Sequence, residues 1–414
     1  MGRMREMTAT VRQAEEKEWD ALDAVLSEAY GRQQPPDVRA AQREIFEFDR
    51  ALVAEDEGRI CGCVSGYALR MSVPGSVVPA AGVTWCGVLP THRRRGMLTQ
   101  LMRRQLTDIH ERWGEPVAAL FTTEPPIYGR YGYGTASHEM LVTVPRWAGA
   151  LVQDAPSDPS IRLTSVDPLE AVPLAEPVHA VAARRRPGML LRGAAWARHA
   201  VADPPSLRGG SSPLRCVLAV RGDEVLGFVR YATIPAADGG IHAGTVRVRE
   251  ICAVEPAAGT ALWRHVLDLD LTAAVVARIP VDDPLLRLLV DPRSARPTVS
   301  DQLHLRLVDV GRALAARTYA ADVDVVLEVR DSFCPWNAGR WRLSGGRDGA
   351  ACEATGDPAD VSLGARELGA VYLGGTSVSS LAEAGLVEGR GPAAVARLSR
   401  ALVSDLAPFT ACRF

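Results

Sequence analysis

The chain has 414 residues, 47% of them hydrophobic and 23% charged, with a net charge of −2. That length suggests about two to four domains, and the composition excludes a disordered chain. The near-neutral balance argues against a nucleic-acid binder, which needs a strongly basic face.

Met1–Met7 lacks the apolar core of a signal peptide, and no run reaches the roughly 18 apolar residues of a membrane helix. A cytoplasmic protein with no membrane span is expected. Trp19, Leu22, Val25, Leu26 and Ala29 give helical spacing over Ala14–Tyr30, which Gly31 and Pro35-Pro36 break. Ala51–Glu55 and Ile60–Leu69 read as strands joined by the turn Asp56-Glu57-Gly58. Val77–Val88 reads as a third strand, interrupted at Ala80-Ala81-Gly82. From Met97, the residues Leu98, Leu101, Met102, Leu106 and Ile109 mark a helix face. Val117–Thr122 is compatible with a strand, and Pro125–Gly134 is a Gly/Tyr-rich loop. The order predicts an α/β domain.

The middle of the chain partly repeats this order. Cys216–Arg221, Gly222-Asp223-Glu224 and Val225–Ala232 read as strand, turn and strand. The run Arg249–Pro256 parallels Val83–Pro90, and a helix is expected over Ala261–Leu271. Where the first copy has Thr91-His92-Arg93-Arg94-Arg95-Gly96, the second has Ala257-Ala258-Gly259-Thr260. A second copy without an anion site is inferred; chance similarity of two apolar strands ending in proline is the alternative. Asp291–Pro297 reads as a polar linker. A third domain should follow, with strands at Val323–Arg330 and Gly339–Ser344 and helices near Ala365–Leu373 and Pro392–Asp405.

The eight cysteines (Cys61, Cys63, Cys86, Cys216, Cys252, Cys334, Cys352 and Cys412) form no Cys-x-x-Cys and no zinc spacing. They read as reduced thiols in apolar runs, and no metal is expected. The single lysine, Lys17, leaves almost no room for a catalytic lysine.

The segment that carries chemistry is Val88-x-Pro90-x-x-Arg93-Arg94-Arg95-Gly96-Met97-Leu98. A strand delivers the chain to a tight turn, and a helix begins at once. The first helical amides have no internal partners, and the helix dipole adds partial positive charge there. Together they form an anion site, which arginines reinforce. A solvated basic turn before a surface helix is the alternative. No Gly-Lys-Ser or Gly-Lys-Thr is present, so a nucleotide-kinase loop is not indicated.

This segment resembles the cofactor loop of the GNAT superfamily of N-acetyltransferases, with Leu98 where Gly or Ala is usual. More narrowly, the chain resembles the Eis (enhanced intracellular survival) family. The resemblance rests on Pro90–Gly96, on Ile127-Tyr128-Gly129-Arg130-Tyr131-Gly132-Tyr133-Gly134, on Asp360–Gly375 and on the final Phe414. It implies an α/β (α+β) chain of tandem acetyltransferase-like domains followed by a sterol carrier protein-like domain. The expected division is 1–146 (catalytic), 147–297 (degenerate) and 298–414 (sterol carrier-like). It also implies acetyl-CoA as co-substrate and a homohexamer. Cys86, Gly87 and Val88 would meet the acetyl and pantetheine amides. Arg93, Arg94, Arg95, Gly96, Met97, Leu98 and Thr99 would hold the pyrophosphate, and Thr123 and Glu124 would flank the pantetheine.

Direct attack of an amine on a thioester needs a base for the amine proton, polarisation of the carbonyl and an acid for the leaving thiolate. By resemblance, Tyr128 is the acid and the terminal carboxylate of Phe414 is the base. The alternatives are a packed loop tyrosine and an ordinary exposed terminus. Tyr131 and Tyr133 are read as packed aromatics and His92 as structural. Glu28 and Trp85 are possible amine-pocket residues, Glu28 equally a solvated helix residue. The expected activity is N-acetylation of polycationic amines, of the aminoglycoside type or on lysines. The competing readings are a lipid-type ligand carrier and an acetyl-CoA-sensing regulator, each with a vestigial catalytic domain.

Overall fold

The computed structural model describes residues 10–238 and 241–414; the expectation for Met1–Met7 lies outside them. In chain order, the first stretch holds β1 (Thr10–Gln13), α1 (Trp19–Tyr30), α2 (Pro36–Arg43), β2 (Leu52–Asp56), β3 (Arg59–Val73), β4 (Ser76–Val88), α3 (Met97–Asp108), β5 (Val117–Leu120), α4 (Pro125–Gly129) and β6 (Gly134–Thr135). The middle holds β7 (His138–Pro145), β8 (Ile161–Val166), α5 (Val172–Arg185), α6 (Ala194–Val201), β9 (Arg215–Arg221), β10 (Glu224–Ile234), the short pair β11 (Ala237–Asp238) and β12 (Ile241–His242), β13 (Gly244–Ala253), α7 (Pro256–Leu267), β14 (Thr272–Pro280), α8 (Leu285–Leu288) and β15 (Thr298–Asp301). The last stretch holds β16 (His304–Leu307), α9 (Val310–Ala315), β17 (Val323–Arg330), β18 (Gly339–Gly346), β19 (Gly349–Ala354), β20 (Val361–Gly364), α10 (Ala365–Val371), α11 (Val378–Glu383), β21 (Val387–Gly389) and α12 (Pro392–Leu402). No helix of the described residues is long and apolar enough to cross a membrane.

The chain divides into two compact units. One runs to Ala136 and takes in Leu303–Ser404 and Arg413–Phe414; the other holds Ser137–Gln302 and Asp405–Cys412. The first unit contains a seven-stranded sheet of order β1-β2-β3-β4-β5-β16-β6 and a five-stranded sheet of order β19-β18-β17-β20-β21. Local chemistry explains its frame. Glu57 (φ 51°) and Gly58 (φ 77°) are the two positive-φ residues of a two-residue hairpin turn whose twist suits the flanking strands. Helix α1 starts at Trp19 and not at Ala14, because Glu15 and Glu18 close a capping box around a short 3-10 turn. It ends on Gly31 at φ 68°. Strand β4 is not interrupted at Ala80-Ala81-Gly82: these small residues pair with Ala68, Tyr67 and Leu69 of β3 and pack in the interior.

The second unit has its own seven-stranded sheet, of order β15-β7-β14-β13-β10-β9-β8. Its β9–β10 hairpin turns on Gly222 at φ 61°. Helix α7 begins at Pro256, earlier than expected, because proline suits the first helical position. Asp291–Pro297 is more than a linker: the Asp291 carboxylate accepts from Arg293 N, and Ala295 is fully buried in this unit's core. Thr298–Asp301 pairs with β7 in the second sheet, whereas His304–Leu307 pairs with β5 and β6 in the first. The five-stranded sheet accordingly begins at Val323.

Candidate active site

The first unit's sheet opens beside β4. Parallel pairing with β5 covers only Ala80–Gly82 against Val117–Ala119. Strand β4 then continues to Val88, paired only with β3. Among the described residues, no strand pairs with the β5-facing edge of Val83–Val88. Backbone groups along such an edge can bond an extended ligand that carries amides.

A bulge shapes this edge. Cys63 pairs with Gly87 and Ser65 with Thr84, so Trp85 and Cys86 together face Val64. Trp85 adopts φ 52°, a costly conformation for a bulky residue. Its ring offsets the cost by packing 4.9 Å from both Trp19 and Phe46 in an aromatic cluster that includes Phe48. The Cys63 thiol donates to the Trp85 carbonyl at 3.3 Å and fixes the bulge. The Tyr30 hydroxyl donates to the Cys86 carbonyl at 2.9 Å. Gly87 leaves room for α1, since a Cβ there would stand 2.8 Å from Leu26. Val88 is half-buried and packs on the core.

At the end of β4, the three arginines have different surroundings. Arg93, though exposed, folds back on the chain: its guanidinium donates to the Ala29 carbonyl at 2.6 Å and to the Val88 carbonyl at 3.4 Å. Arg94, at φ 61°, and Arg95 are exposed. His92 joins the turn to its surroundings through Asp56 (3.4 Å) and Thr91 (2.8 Å). Gly96 is the N-cap of α3 at φ 80°, and no protein atom lies within 4 Å of where its Cβ would stand. The turn thus needs glycine for conformation and leaves open space over the first α3 amides. Met97 is buried, Leu98 packs on the core, and the Thr99 hydroxyl lies 3.3 Å from that of Tyr131. These three offer amides to the turn, while their side chains serve the interior.

Past β5, Thr123 and Glu124 are exposed, and the Thr122 hydroxyl accepts from Glu124 N at 2.9 Å. Glu124 precedes α4, which carries Tyr128. The Tyr128 carbonyl accepts from the amides of Tyr131 (3.0 Å) and Tyr133 (3.3 Å), with Gly132 at φ 83° closing the turn. Tyr128 is half-buried, and its phenol and the Cys86 thiol are near enough to influence each other. Burial first, and then the neighbouring Cys86, push the Tyr128 phenol well above its ordinary pKa. Burial pushes the Cys86 thiol up to about 11. Tyr131 and Tyr133 are buried aromatics, as expected.

The Phe414 ring lies against Phe121, with centroids 5.0 Å apart, and over Gly82, where a Cβ would stand 3.0 Å from the ring. Gly82 is the last β4 residue paired with β5, and Phe121 follows β5 directly. The side chain of Phe414 therefore occupies the fork between the two strands. Of the possible amine-pocket residues, Glu28 is exposed on α1, while Trp85 is only 8% exposed. Tyr30 and Phe121 escaped the sequence reading. The one signal was Gly82 inside an apolar strand, a sign of close approach by another group.

Residues 10–136 and 188–307 each match an acetyltransferase (GNAT) domain, and residues 310–411 match a sterol carrier protein domain. An N-acetyltransferase of Streptomyces coelicolor is 46% identical, over 97% of this chain and 99% of its own length. The N-acetyltransferase Eis of Mycobacterium tuberculosis is 33% identical, over 99% of this chain and all of its own. The crystal structure of Eis1 from Mycobacterium abscessus, 33% identical, superposes with a TM-score of 0.82, covering 98% of this chain and all of that one. Two acetyltransferase domains in tandem, a sterol carrier-like third domain and full-length identity at this level assign the chain to the Eis family of GNAT-type N-acetyltransferases.

Proposed function

We propose that this N-acetyltransferase moves the acetyl group of acetyl-CoA to an amine of a polycationic substrate, of the aminoglycoside type or a lysine side chain, by direct attack. The observation that carries the reading is the open β4 edge running from the Tyr128–Cys86 pair to the glycine turn at the start of α3. Acetyl-CoA, when bound, supplies an activated acetyl thioester. The amides and carbonyls of Cys86, Gly87 and Val88 hold its acetyl and pantetheine end. The turn from Arg93 to Thr99 holds its pyrophosphate, with Arg94 and Arg95 supplying charge, and Thr123 and Glu124 flank the pantetheine. The amine nitrogen attacks the thioester carbonyl, a C–N bond forms and the C–S bond breaks. The Phe414 carboxylate takes the amine proton, and Tyr128 gives its proton to the departing sulfur. The raised Cys86 thiol is a poor nucleophile at neutral pH, which supports direct attack over an acetylated cysteine.

The division we propose is a catalytic domain over 1–146, a degenerate copy over 147–297 and a sterol carrier-like domain over 298–414, in a cytoplasmic homohexamer. A lipid-carrier reading is not favoured. Inside the third domain, Arg317 is fully buried, bonded to the carbonyls of Tyr372 and Leu402 and flanked by the rings of Tyr319 and Tyr372. A guanidinium held in that interior suits an apolar ligand poorly.

Thiol release from acetyl-CoA with a panel of aminoglycosides, polyamines and lysine peptides tests the reading, alongside calorimetric titration with the coenzyme. Saturable binding and turnover of at least one polycation are expected. Binding without turnover on any amine would favour an acetyl-CoA sensor, and no binding would remove the proposal.

A further inference from the structure

The carbonyls along the open edge of β4 are not alike. Leu89 N donates to the Cys61 carbonyl at 2.9 Å, so the alternation of an antiparallel ladder turns the amide and carbonyl of Val88 to the open edge. The contact of the Val88 carbonyl with the Arg93 guanidinium is long, at 3.4 Å. The Cys86 carbonyl, two residues earlier on the same side, accepts from the Tyr30 hydroxyl at 2.9 Å. Tyr30 is the last residue of α1 and no part of the sheet. Its hydroxyl stands where a neighbouring strand, or an extended ligand, would place an N–H.

Local chemistry holds it there. A Cβ on Gly87 would stand 2.8 Å from Leu26 and 3.3 Å from Ala29, so the end of α1 rests directly on the strand. Gly31, at φ 68°, stops the helix immediately after Tyr30, and the Arg93 guanidinium binds the Ala29 carbonyl at 2.6 Å. The end of α1 is thus tied both to β4 and to the turn that follows it. Burial of the ring does not account for this placement, because Tyr30 is 58% exposed. What the residue contributes is the bond to Cys86.

We propose that Tyr30 is a positioning residue for the thioester end of acetyl-CoA, giving the Cys86 carbonyl the hydrogen bond that a thioester cannot give. This rests on the proposed acetyl-CoA reading and narrows the part of Cys86 to its amide. The pantetheine arm can pair with a strand edge through its amides, but the acetyl–sulfur group carries no N–H. Alternate residues of a strand stand about 7 Å apart, and the short link from the first pantetheine amide to the thioester covers a similar length. With that amide at Val88, the thioester lies beside Cys86. A carbonyl that loses water there without gaining a donor is destabilising, and the Tyr30 hydroxyl removes that cost. It also sets the register, since a pantetheine N–H that slid to Cys86 would find the carbonyl already bonded.

The test uses the full-length chain, Tyr30→Phe and a pair of unreactive acetyl-CoA analogues in which the thioester sulfur is replaced, by CH2 in one and by NH in the other. Only the NH analogue brings a donor to the Cys86 carbonyl. In calorimetric titrations, Tyr30→Phe should weaken binding of the CH2 analogue about tenfold and leave that of the NH analogue within about twofold. A residue that merely supported the fold would weaken both alike. Equal losses for the two analogues, or no loss for the CH2 analogue, would overturn the proposal. Tyr30→Leu, which removes the ring as well, must show the same shift of preference towards the NH analogue. Failure of the parent chain to bind either analogue would instead remove the acetyl-CoA reading, a result distinct from failure at Tyr30.

Discussion

At the residue scale, Tyr128 is the side chain whose setting most constrains its chemistry. The amides of Tyr131 and Tyr133 hold its carbonyl, and burial beside Cys86 sets the state of its phenol. Because its pKa is raised, the phenol stays protonated up to and beyond pH 10, as a donor to sulfur requires. Tyr128→Phe should therefore lower kcat about 100-fold while leaving acetyl-CoA affinity nearly unchanged. The sign for pH follows. On the proposed roles, Tyr128 should contribute no loss of activity between pH 8 and 10, and the acid limb should belong to the amine and its base. A kcat profile from pH 6 to 10 checks this. An alkaline limb present in the parent chain and absent in Tyr128→Phe would mean that the phenol titrates in that range, against its burial.

At the scale of elements, the second unit offers a test of burial. Asp283 precedes α8, and its Oδ1 accepts from Leu285 N at 2.9 Å. The carboxyl is partly accessible, yet burial pushes it up to about 6. The folded state thus holds the proton more tightly than the unfolded chain. Stability from this group is fully present below about pH 4 and is lost as pH rises through about 6. Asp283→Asn keeps the acceptor and removes the charge. It should raise Tm at pH 8 and change it little at pH 4, as thermal melts at the two pH values would show; an equal shift at both would contradict the burial argument. Elements of this kind also show how far the sequence was legible. The β2–β3 hairpin, α3 and β17 follow from local turn chemistry and periodicity, and the Gly96 turn follows from an arginine run between strand and helix. The Trp85 bulge, the Tyr30 bond to Cys86 and the continuity of β4 through Ala80–Gly82 do not. Each depends on a partner distant in sequence, and small residues that look like a break are here the ones that permit close packing. The same holds for Thr298–Leu307, whose strands complete two different sheets because their pairing is set by partners near positions 140 and 118.

At the scale of the whole fold, the acetyltransferase sheet and the sterol carrier-like domain of the first unit are built as one body. Strand β16 lies inside the seven-stranded sheet, between β5 and β6. Helix α10 packs so closely on that edge that a Cβ on Gly134 would overlap the Arg366 carbonyl, and one on Gly369 the Leu305 carbonyl. Arg306 of β16 is fully buried, bonded to the Tyr131 carbonyl and paired with Asp331. Asp331 also accepts from the amides of Phe333 (3.1 Å) and Cys334 (2.9 Å) and from the Asn337 side chain (3.3 Å). Removing the carboxylate leaves a buried guanidinium unpaired, at a cost of about 3–5 kcal/mol. Asp331→Ala should therefore lower the melting temperature of this unit by about 10 °C. Amides of β5 and β17 should lose hydrogen-exchange protection together, because one cooperative body contains both strands. Asp331→Asn, which keeps the acceptor for the Phe333 and Cys334 amides, should fall between the two. If β17 amides exchanged early in Asp331→Ala while β5 stayed protected, the third domain would be an independent module, and Arg306 would be only a local contact.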